Sequence, residues 1–452
     1  MTSTRRKALL CLLLSAAIFV AWGWHIAAAS DSGMGAFKAI YFGARCLIEQ
    51  KDPYNPAVLQ QVYESEGGKF PTDPGEARFF RQAMLVCVNL PTSLLAVAPL
   101  ALLPWRIASL LWMSLNALAV LLAAWLVWIV AQAAALKPAT ALVCLLLCNA
   151  ELVLALGNLA GIVVGLTIVA VWCFLEERYV SAGILCLALS LALKPHDAGF
   201  VWAFFLLAGG VHRKRALLAL AVVVAFAVPA TLWVRHVSPQ WFGEYRANLT
   251  ALSAPGSVND PGQRSLTFHS ADSVINLQSL FSLIRDDPRF YNPAGYLTCG
   301  LLFLAGAVCV LKSRFTKQNA WIALAAIAAL SMLPVYHRAY DAKLLLLAVP
   351  ACAMLWAAGG RVRWFAAVIT TLALLSTGDV PASVFLTLMS NFQGSFATVG
   401  GRLLTAFVFH PAPVILLATG VFYLGVYCRQ TLALKTGPAG ASDLPRVAVA
   451  QK

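Results

Sequence analysis

The chain has 452 residues, of which 60% are hydrophobic and 12% are charged, and its formal net charge is +14 at pH 7. Soluble domains carry about 25% charged residues, so this composition excludes an ordinary water-soluble protein and indicates a chain that lies in lipid. The basic residues form short clusters between apolar runs. Such clusters are typical of cytoplasmic anchors in membrane proteins rather than of a nucleic-acid-binding surface.

The first apolar run covers residues 8–28 and follows a basic cluster at residues 5–7. We expect a retained first membrane helix; a cleaved signal peptide is the alternative, because the basic cluster resembles an n-region and the alanines at residues 27–29 resemble a cleavage site. Residues 29–83 then form a long outer loop, in which apolar residues at i, i+4 and i+7 predict an amphipathic helix lying on the membrane or covering a cavity. The residues of this stripe are Phe37, Tyr41, Ala44, Leu47 and Ile48.

Six apolar segments lie between this loop and the basic cluster at residues 213–215. They are 84–103, 107–134, 139–156, 159–175, 180–193 and 197–211. Because the loop is outside and the cluster inside, an odd number must cross the membrane. The segment 84–103 is the expected exception because prolines interrupt it. This parity places residues 157–158 and 194–197 at the outer surface.

Further basic clusters alternate with apolar runs to the end of the chain. They predict outer segments at 235–295 and 336–341, and about 12 spanning helices with both termini in the cytoplasm. The expected fold is therefore an all-α, polytopic membrane protein. We expect one domain over residues 1–435 and a disordered cytoplasmic tail over residues 436–452. Cysteines inside the apolar runs, Cys309 among them, are expected to be small packing residues.

Two carboxylates of the first outer loop are candidates for acid–base chemistry. Asp31 follows the first helix, and Asp52 lies 21 residues later, before a proline. A carboxylate at this position could deprotonate a hydroxyl group. The alternatives are an ordinary interfacial residue for Asp31 and a turn for Asp52.

A second candidate is the polar run at residues 194–197, which interrupts two short apolar segments. Lys194 at membrane depth is costly unless it meets an anion, and a lipid phosphate would be such an anion. His196 would be a second donor to it. The alternative is a lysine that extends its ammonium group to the interface at a turn marked by proline.

The third candidate is the run at residues 336–341, between two apolar runs. It combines cations, phenols and a carboxylate that could bind phosphate or sugar, and His337 with Asp341 is the expected orienting pair. The alternative is an interfacial belt that contacts lipid headgroups. Glu151, inside the apolar run 139–156, is a further candidate because acids in lipid usually have a function.

Several catalytic signatures are absent from the sequence. It contains no Walker A loop, no GxGxxG after a strand, no HExxH and no GxSxG. A nucleotide-driven pump, a zinc protease and a serine hydrolase are therefore disfavoured.

Taken in order, the polar stretches resemble the polytopic glycosyltransferases of family 87, the mannosyltransferase-like branch of the GT-C superfamily. The matching stretches are 37–45, 52–54, 89–100, 157–158, 182–195 and 334–350. The resemblance implies a polyprenyl-phosphate-linked sugar donor, typically of mannose, used at the outer face. It also implies that a carboxylate in the first outer loop acts as the catalytic base. Where the family usually has this acid, the chain has Ala36, so Asp31 would have to take the role.

The resemblance also assigns roles to the later clusters. The family's late histidine matches His337, the second catalytic candidate, and its Lys-Pro pair matches Lys194 and Pro195. The expected phosphate-binding residues are Lys194, His196 and Arg338. Further expected substrate-binding residues are Tyr340, Asp341, Asn158, Tyr41 and Asp52.

The function expected from the sequence is sugar transfer in a bacterial plasma membrane, from a polyprenyl-phosphate donor to a glycan, lipid or protein acceptor. No cofactor or metal is required, because lysine and arginine can neutralise a leaving phosphate, although a divalent metal is compatible with the reaction. No nucleic acid partner is expected. The alternatives are a secondary transporter or lipid flippase, which the lack of an internal repeat disfavours, and an inactive relative, which Ala36 keeps open.

Overall fold

The computed structural model of the protein describes residues 2–29, 33–268, 273–381, 384 and 410–436. The described residues are all-α, as predicted, apart from one isolated antiparallel bridge between Val274 and Arg338. The helices of the first half are α1 (Ser3–Ala29), α2 (Gly35–Ile48), α3 (Pro56–Ser65), α4 (Pro74–Leu85), α5 (Pro91–Ala101), α6 (Trp105–Leu147), α7 (Glu151–Ala155), α8 (Ala160–Leu175), α9 (Val180–Leu193) and α10 (Pro195–Ala208).

The second half begins with the long helix that carries the basic cluster 213–215. Its helices are α11 (Gly210–Val237), α12 (Trp241–Ser253), α13 (Leu277–Ser282), α14 (Pro288–Lys312), α15 (Lys317–Leu330), a 3-10 helix (Asp341–Leu347), α16 (Ala348–Ala358), α17 (Val362–Ser376) and α18 (Pro411–Thr436). Of the predicted tail, residues 437–452 lie outside the described residues.

Six helical segments in the described part of the chain are long and apolar enough to cross a membrane. They are Ser3–Ala29, Trp105–Ala155, Gly210–Val237, Pro288–Lys312, Asp341–Ala358 and Pro411–Thr431. Shorter apolar helices accompany them, including α8 and α9. Several of the long helices turn leucines outward, with Leu13 on α1 68% exposed and Leu297 on α14 66% exposed. This pattern supports an integral membrane protein, and the total of about 12 spans stays a prediction.

Prolines set the boundaries of the segments that follow the first outer loop. Helix α5 has Pro91 in its first turn and only 11 residues, about 16 Å of helix, so it is too short to cross a bilayer by itself. This agrees with the prediction that 84–103 does not span. Helix α6 bends at Ala135, whose φ of −154° and ψ of 99° are not helical, three residues before Pro138. The bend lies between the two predicted segments, because proline disrupts the preceding helical turn.

The predicted amphipathic helix of the first outer loop is α2. Phe37, Tyr41, Ala44 and Leu47 of its apolar stripe are all fully buried. The ring of Phe37 stacks on Trp112 of α6 with centroids 4.6 Å apart. Helix α2 therefore packs its apolar stripe on protein and covers the helices beneath it.

The two long predicted outer loops contact each other. Asn248 of α12 donates its side-chain amide to the carbonyls of Tyr54 (2.9 Å) and Cys87 (3.0 Å). The ring of Trp241 lies 6.0 Å from that of Tyr54. These loops thus form one helical layer instead of separate flexible connectors.

A disulfide between Cys309 and Cys428 joins α14 to α18. The prediction that Cys309 is only a packing residue is therefore wrong. Its partner is 119 residues away in sequence, and only the packing of the two helices brings the sulfurs together.

Candidate functional site

Lys194 lies at the break between α9 and α10. Its φ of −151° and ψ of 81° are not helical, and Pro195 occupies the first position of α10. A residue before proline is kept out of the helical backbone conformation, so the local sequence accounts for this break between α9 and α10. The structure confirms the predicted interruption of the two apolar segments.

The Lys194 ammonium group is held between two buried carboxylates. It donates to Oδ1 of Asp341, which is 147 residues away in sequence, and lies 3.1 Å from Oδ2 of Asp197. The Lys194 side chain is 11% exposed, whereas neither carboxylate side chain is exposed. The anions that offset the cost of this buried cation therefore come from the protein itself.

Two imidazole rings face the other side of the Asp197 carboxylate. Nε2 of His337 lies 3.2 Å from Asp197 Oδ1, and Nε2 of His196 lies 3.6 Å from the same oxygen. The ring centroids of the two histidines are 5.1 Å apart. His337 is fully buried, while the His196 side chain is 36% exposed.

The expected pairing of His337 with Asp341 is wrong. The backbone N–H of Arg338 donates to Asp341 Oδ2 at 2.9 Å, and Lys194 takes the other oxygen. His337 instead meets Asp197, because α10 brings that carboxylate against its ring. Asp341 thus contacts Lys194 and the Arg338 amide, while Asp197 contacts Lys194 and both histidines.

Arg338 connects the candidate site to the second outer loop. Its guanidinium donates to the carbonyl of Val258 at 2.7 Å and to the Tyr336 hydroxyl at 2.8 Å. That hydroxyl lies 3.0 Å from the hydroxyl of Tyr340, whose ring faces the Lys194 ammonium at 5.5 Å. Arg338 is 3% exposed, so its charge serves first to hold these segments together.

The expected catalytic base, Asp31, lies outside the described residues. Ala36, where the resemblance led us to expect an acid, is the second residue of α2, and its N–H donates to the carbonyl of Leu156 at 3.0 Å. The methyl side chain of Ala36 cannot accept a proton. The described start of α2 therefore places no carboxylate at this position.

Three other predicted site residues form hydrogen bonds with nearby backbone. The Tyr41 hydroxyl donates to the Leu103 carbonyl at 2.8 Å. The side-chain oxygen of Asn158 accepts from the amide two residues later at 2.9 Å, at the start of α8. Asp52 also accepts from the amide two residues later at 2.9 Å, which is the turn given above as its alternative. Their roles in substrate binding remain predictions.

Asp52 has an acidic neighbour, Glu244, from the other outer loop. The Ser238 hydroxyl lies 3.1 Å from a carboxyl oxygen of Asp52 and 3.1 Å from one of Glu244. Burial and the adjacent Asp52 carboxylate raise the pKa of Glu244 above its usual range. This acidic pair joins the two loops at the surface of the helical layer.

A second buried ion pair lies beside the first. The Lys343 ammonium donates to the carbonyls of Asn149 (2.6 Å) and Thr377 (2.9 Å) and lies 3.3 Å from Asp379 Oδ1. Lys343 follows Asp341 by two residues on the same 3-10 helix. The buried polar region thus extends from Lys194 towards Asn149, near the candidate Glu151, which is 4% exposed.

Sequence reasoning did not select Asp197, Lys343 or Asp379 as site residues. A signal existed for Asp197, because the i, i+3 spacing from Lys194 allows an ion pair on a helix start. Lys343 also stood out as a charge inside an apolar run. Nothing in the sequence pointed to Asp379 as its partner.

The comparison with known protein families finds glycosyltransferase family 87, whose model matches residues 88–336, more than half of the chain. The chain belongs to glycosyltransferase family 87. The matched part of this family 87 protein includes Lys194, His196 and Asp197 and ends directly before His337. No curated protein and no solved structure matches the chain. The predicted resemblance is confirmed, and the grouping of its polar residues comes from the geometry described above.

Proposed function

We propose that this family 87 glycosyltransferase moves a sugar, with mannose as the first candidate, from a polyprenyl-phosphate donor to an acceptor at the outer face of a bacterial plasma membrane. Family membership carries the transferase activity. The observation that best supports a lipid-linked donor is the buried cluster of Lys194, His196, Asp197, His337 and Asp341, called the Lys194 cluster below. It lies at a helix break among apolar helices. A donor with a polyprenyl chain can approach such a site from the bilayer.

The basic cluster after α10 supports an outer location. Lys194 precedes α10, and Arg213, Lys214 and Arg215 follow it at the start of α11. Helix α10 has 14 residues, about 21 Å of rise, which separates these two groups across much of the hydrocarbon layer. Because clustered arginine and lysine favour the cytoplasmic side, Lys194 would face the other side.

In the proposed reaction the acceptor hydroxyl attacks the anomeric carbon while the bond from that carbon to the phosphate oxygen breaks. The electron pair leaves with polyprenyl phosphate, the acceptor proton passes to a carboxylate, and a single displacement inverts the anomeric carbon. Lys194 and His196 are the proposed phosphate-binding residues because their side chains keep some exposure, 11% and 36%, whereas Asp197 has none. Asp197 and Asp341 hold the Lys194 ammonium group in place, and Asp31 is the proposed base.

One observation favours a second candidate, an inactive relative that binds donor without cleaving it. Ala36 replaces the acid expected at the start of α2, and its backbone is fixed to Leu156. If Asp31 does not reach the sugar, the acceptor hydroxyl lacks its base. This candidate predicts donor binding with no release of lipid phosphate.

Purified protein in lipid nanodiscs, given labelled polyprenyl-phosphate-mannose and an acceptor membrane extract, tests the proposal. We expect release of polyprenyl phosphate, and a loss of about 100-fold or more in Lys194→Met. Lys317→Met is the matched control, because Lys317 is a 46% exposed lysine paired with Glu176. Asp31→Asn should abolish turnover, whereas Asp52→Asn should not.

Two other outcomes would contradict the proposal. Donor binding without release would favour the inactive relative. Movement of intact donor across sealed vesicles, without cleavage, would favour a transporter.

A further inference from the structure

Three side chains of the candidate site converge on a space that suits a metal ion. One ring nitrogen from each of His196 and His337 and one carboxyl oxygen of Asp197 all lie within 4.8 Å of one another. They come from two distant segments, the start of α10 and the turn before the 3-10 helix. The sequence alone gave no metal-ligand spacing, because His337 is 140 residues beyond Asp197.

The two distances from Asp197 to the histidines match those of a tetrahedral site. Zinc binds histidine nitrogen and carboxylate oxygen at about 2.0–2.2 Å, which places neighbouring ligand atoms about 3.3–3.6 Å apart. Asp197 Oδ1 lies 3.2 Å from His337 Nε2 and 3.6 Å from His196 Nε2. A small cation between these three atoms would therefore keep both Asp197–histidine distances and would draw the two ring nitrogens, which lie within 4.8 Å of each other, to about 3.3–3.6 Å.

The surroundings of the ligand atoms also favour a bound cation. Neither Nε2 atom makes a hydrogen bond to any residue that the structure describes, and both atoms are buried. Nδ1 of His337 lies 3.2 Å from the Val335 carbonyl, so a proton on Nδ1 leaves the Nε2 lone pair facing Asp197. Two acceptors would then oppose each other unless a proton or a metal cation lies between them. A backbone carbonyl behind a histidine is the usual support of a metal-bound imidazole.

Asp197 divides its two oxygens in a manner that fits this site. Oδ1 faces the two histidines, while Oδ2 lies 3.1 Å from the Lys194 ammonium. Metal-bound carboxylates are commonly hydrogen-bonded through their other oxygen. Lys194 thereby orients the proposed ligand and need not occupy the metal position.

We propose that His196, Asp197 and His337 bind one divalent transition-metal ion, with Zn²⁺ the preferred ion. Two imidazoles and one carboxylate favour zinc over magnesium or calcium, which prefer oxygen ligands. Three protein ligands leave a fourth position open, as in catalytic rather than structural zinc sites. The exposed edge of His196 gives an ion access to the site.

The use of this ion rests on the proposed function. The groups in direct contact, Lys194, Asp197 and Asp341 with two neutral imidazoles, sum to a charge of −1. One divalent ion changes this to +1, which suits the single negative charge of a sugar-linked phosphodiester. The open position would accept an oxygen of that phosphate, so His196 would act on the phosphate through the ion and not as a direct donor.

Metal binding by the full-length chain in nanodiscs tests the proposal directly. After removal of bound ions with a chelator, we expect the wild type to take up one Zn²⁺ per chain, and Co²⁺ to give the intense visible absorption of a tetrahedral site. His196→Ala and His337→Ala should each lower Zn²⁺ affinity by at least about 10–100-fold. His212→Ala is the control, because His212 is buried between the rings of Phe205 and Phe315 on another part of the fold.

A second measurement distinguishes loss of the metal site from misfolding of a variant. Zn²⁺ should raise the unfolding temperature of the wild type and of His212→Ala but not that of His196→Ala, whose exposed side chain leaves a small defect. Equal zinc uptake by the wild type and the two ligand variants would overturn the site. Zinc uptake without sugar transfer would support the site and contradict the proposed function, whereas transfer by a chain that binds no zinc would contradict the site alone.

Discussion

The Lys194 cluster makes a strong prediction about stability. Lys194→Met keeps an unbranched side chain one atom shorter and removes the cation that two unexposed carboxylates share. Removal of one member of a buried ion pair typically costs about 3–5 kcal/mol, because a charge remains without compensation. This is about two to three and a half orders of magnitude in the unfolding equilibrium.

A charge-balanced double variant separates this effect from lost packing. In Lys194→Met/Asp341→Asn one of the two carboxylates becomes neutral, and Asp197 still faces His337 at 3.2 Å. We expect the double variant to recover at least half of the stability that the single variant loses. The non-additivity measures the coupling between Lys194 and Asp341.

Denaturant unfolding in detergent, followed by tryptophan fluorescence, is the assay. Lys317→Met is the matched control, and its exposed ion pair with Glu176 should be worth about 0–1 kcal/mol. If Lys194→Met were no less stable than this control, the buried carboxylates would not depend on Lys194. If the double variant were as unstable as the single one, loss of packing rather than unpaired charge would be the cause.

Three further changes test other parts of the structure. Arg338→Gln should expose the segment around Val258 and speed its cleavage in limited proteolysis, because the guanidinium bonds to that carbonyl; an unchanged digest would refute this role. Glu244→Gln should raise the unfolding temperature at pH 7 but not near pH 4, since a carboxyl with a raised pKa stabilises the fold at low pH and loses this contribution as pH rises through its folded-state pKa; an equal effect at both values would contradict it. Gly165→Ala should cost about 1–3 kcal/mol, because its Cβ would lie 2.7 Å from the backbone of Ala119 on α6. Gly300→Ala, with nothing within 4 Å, is the control for that change and should be tolerated in thermal unfolding.

Features with a local cause were predictable from the sequence. The stripe of α2 follows from apolar spacing at the helical period, and the break at Lys194 follows from the proline after it. The bend of α6 near Pro138 has the same origin. Asp31 and the tail after residue 436 lie outside the described residues, so these predictions stay open.

The pairing of charges was not predictable in the same way. His337 was expected to pair with Asp341, its neighbour in sequence, but it meets Asp197, while Asp341 binds Lys194. The Lys343 ammonium group contacts Asp379 and two backbone carbonyls that come from separate segments. A lysine or histidine in an apolar run shows that a polar partner is needed. It does not show which of several carboxylates the packing of the helices will place beside it.

The sequence by itself determined that this chain belongs in lipid, that α2 is amphipathic and that Lys194 ends a helix, because composition, period and proline act over a few residues. It also carried the resemblance to family 87, which its residue types and their order reveal. Only the tertiary structure decided that Lys194, Asp197, His196, His337 and Asp341 form one cluster. That decision depends on how helices 140 or more residues apart pack, since contacts over such separations are fixed by the shapes of whole helices rather than by any local pattern.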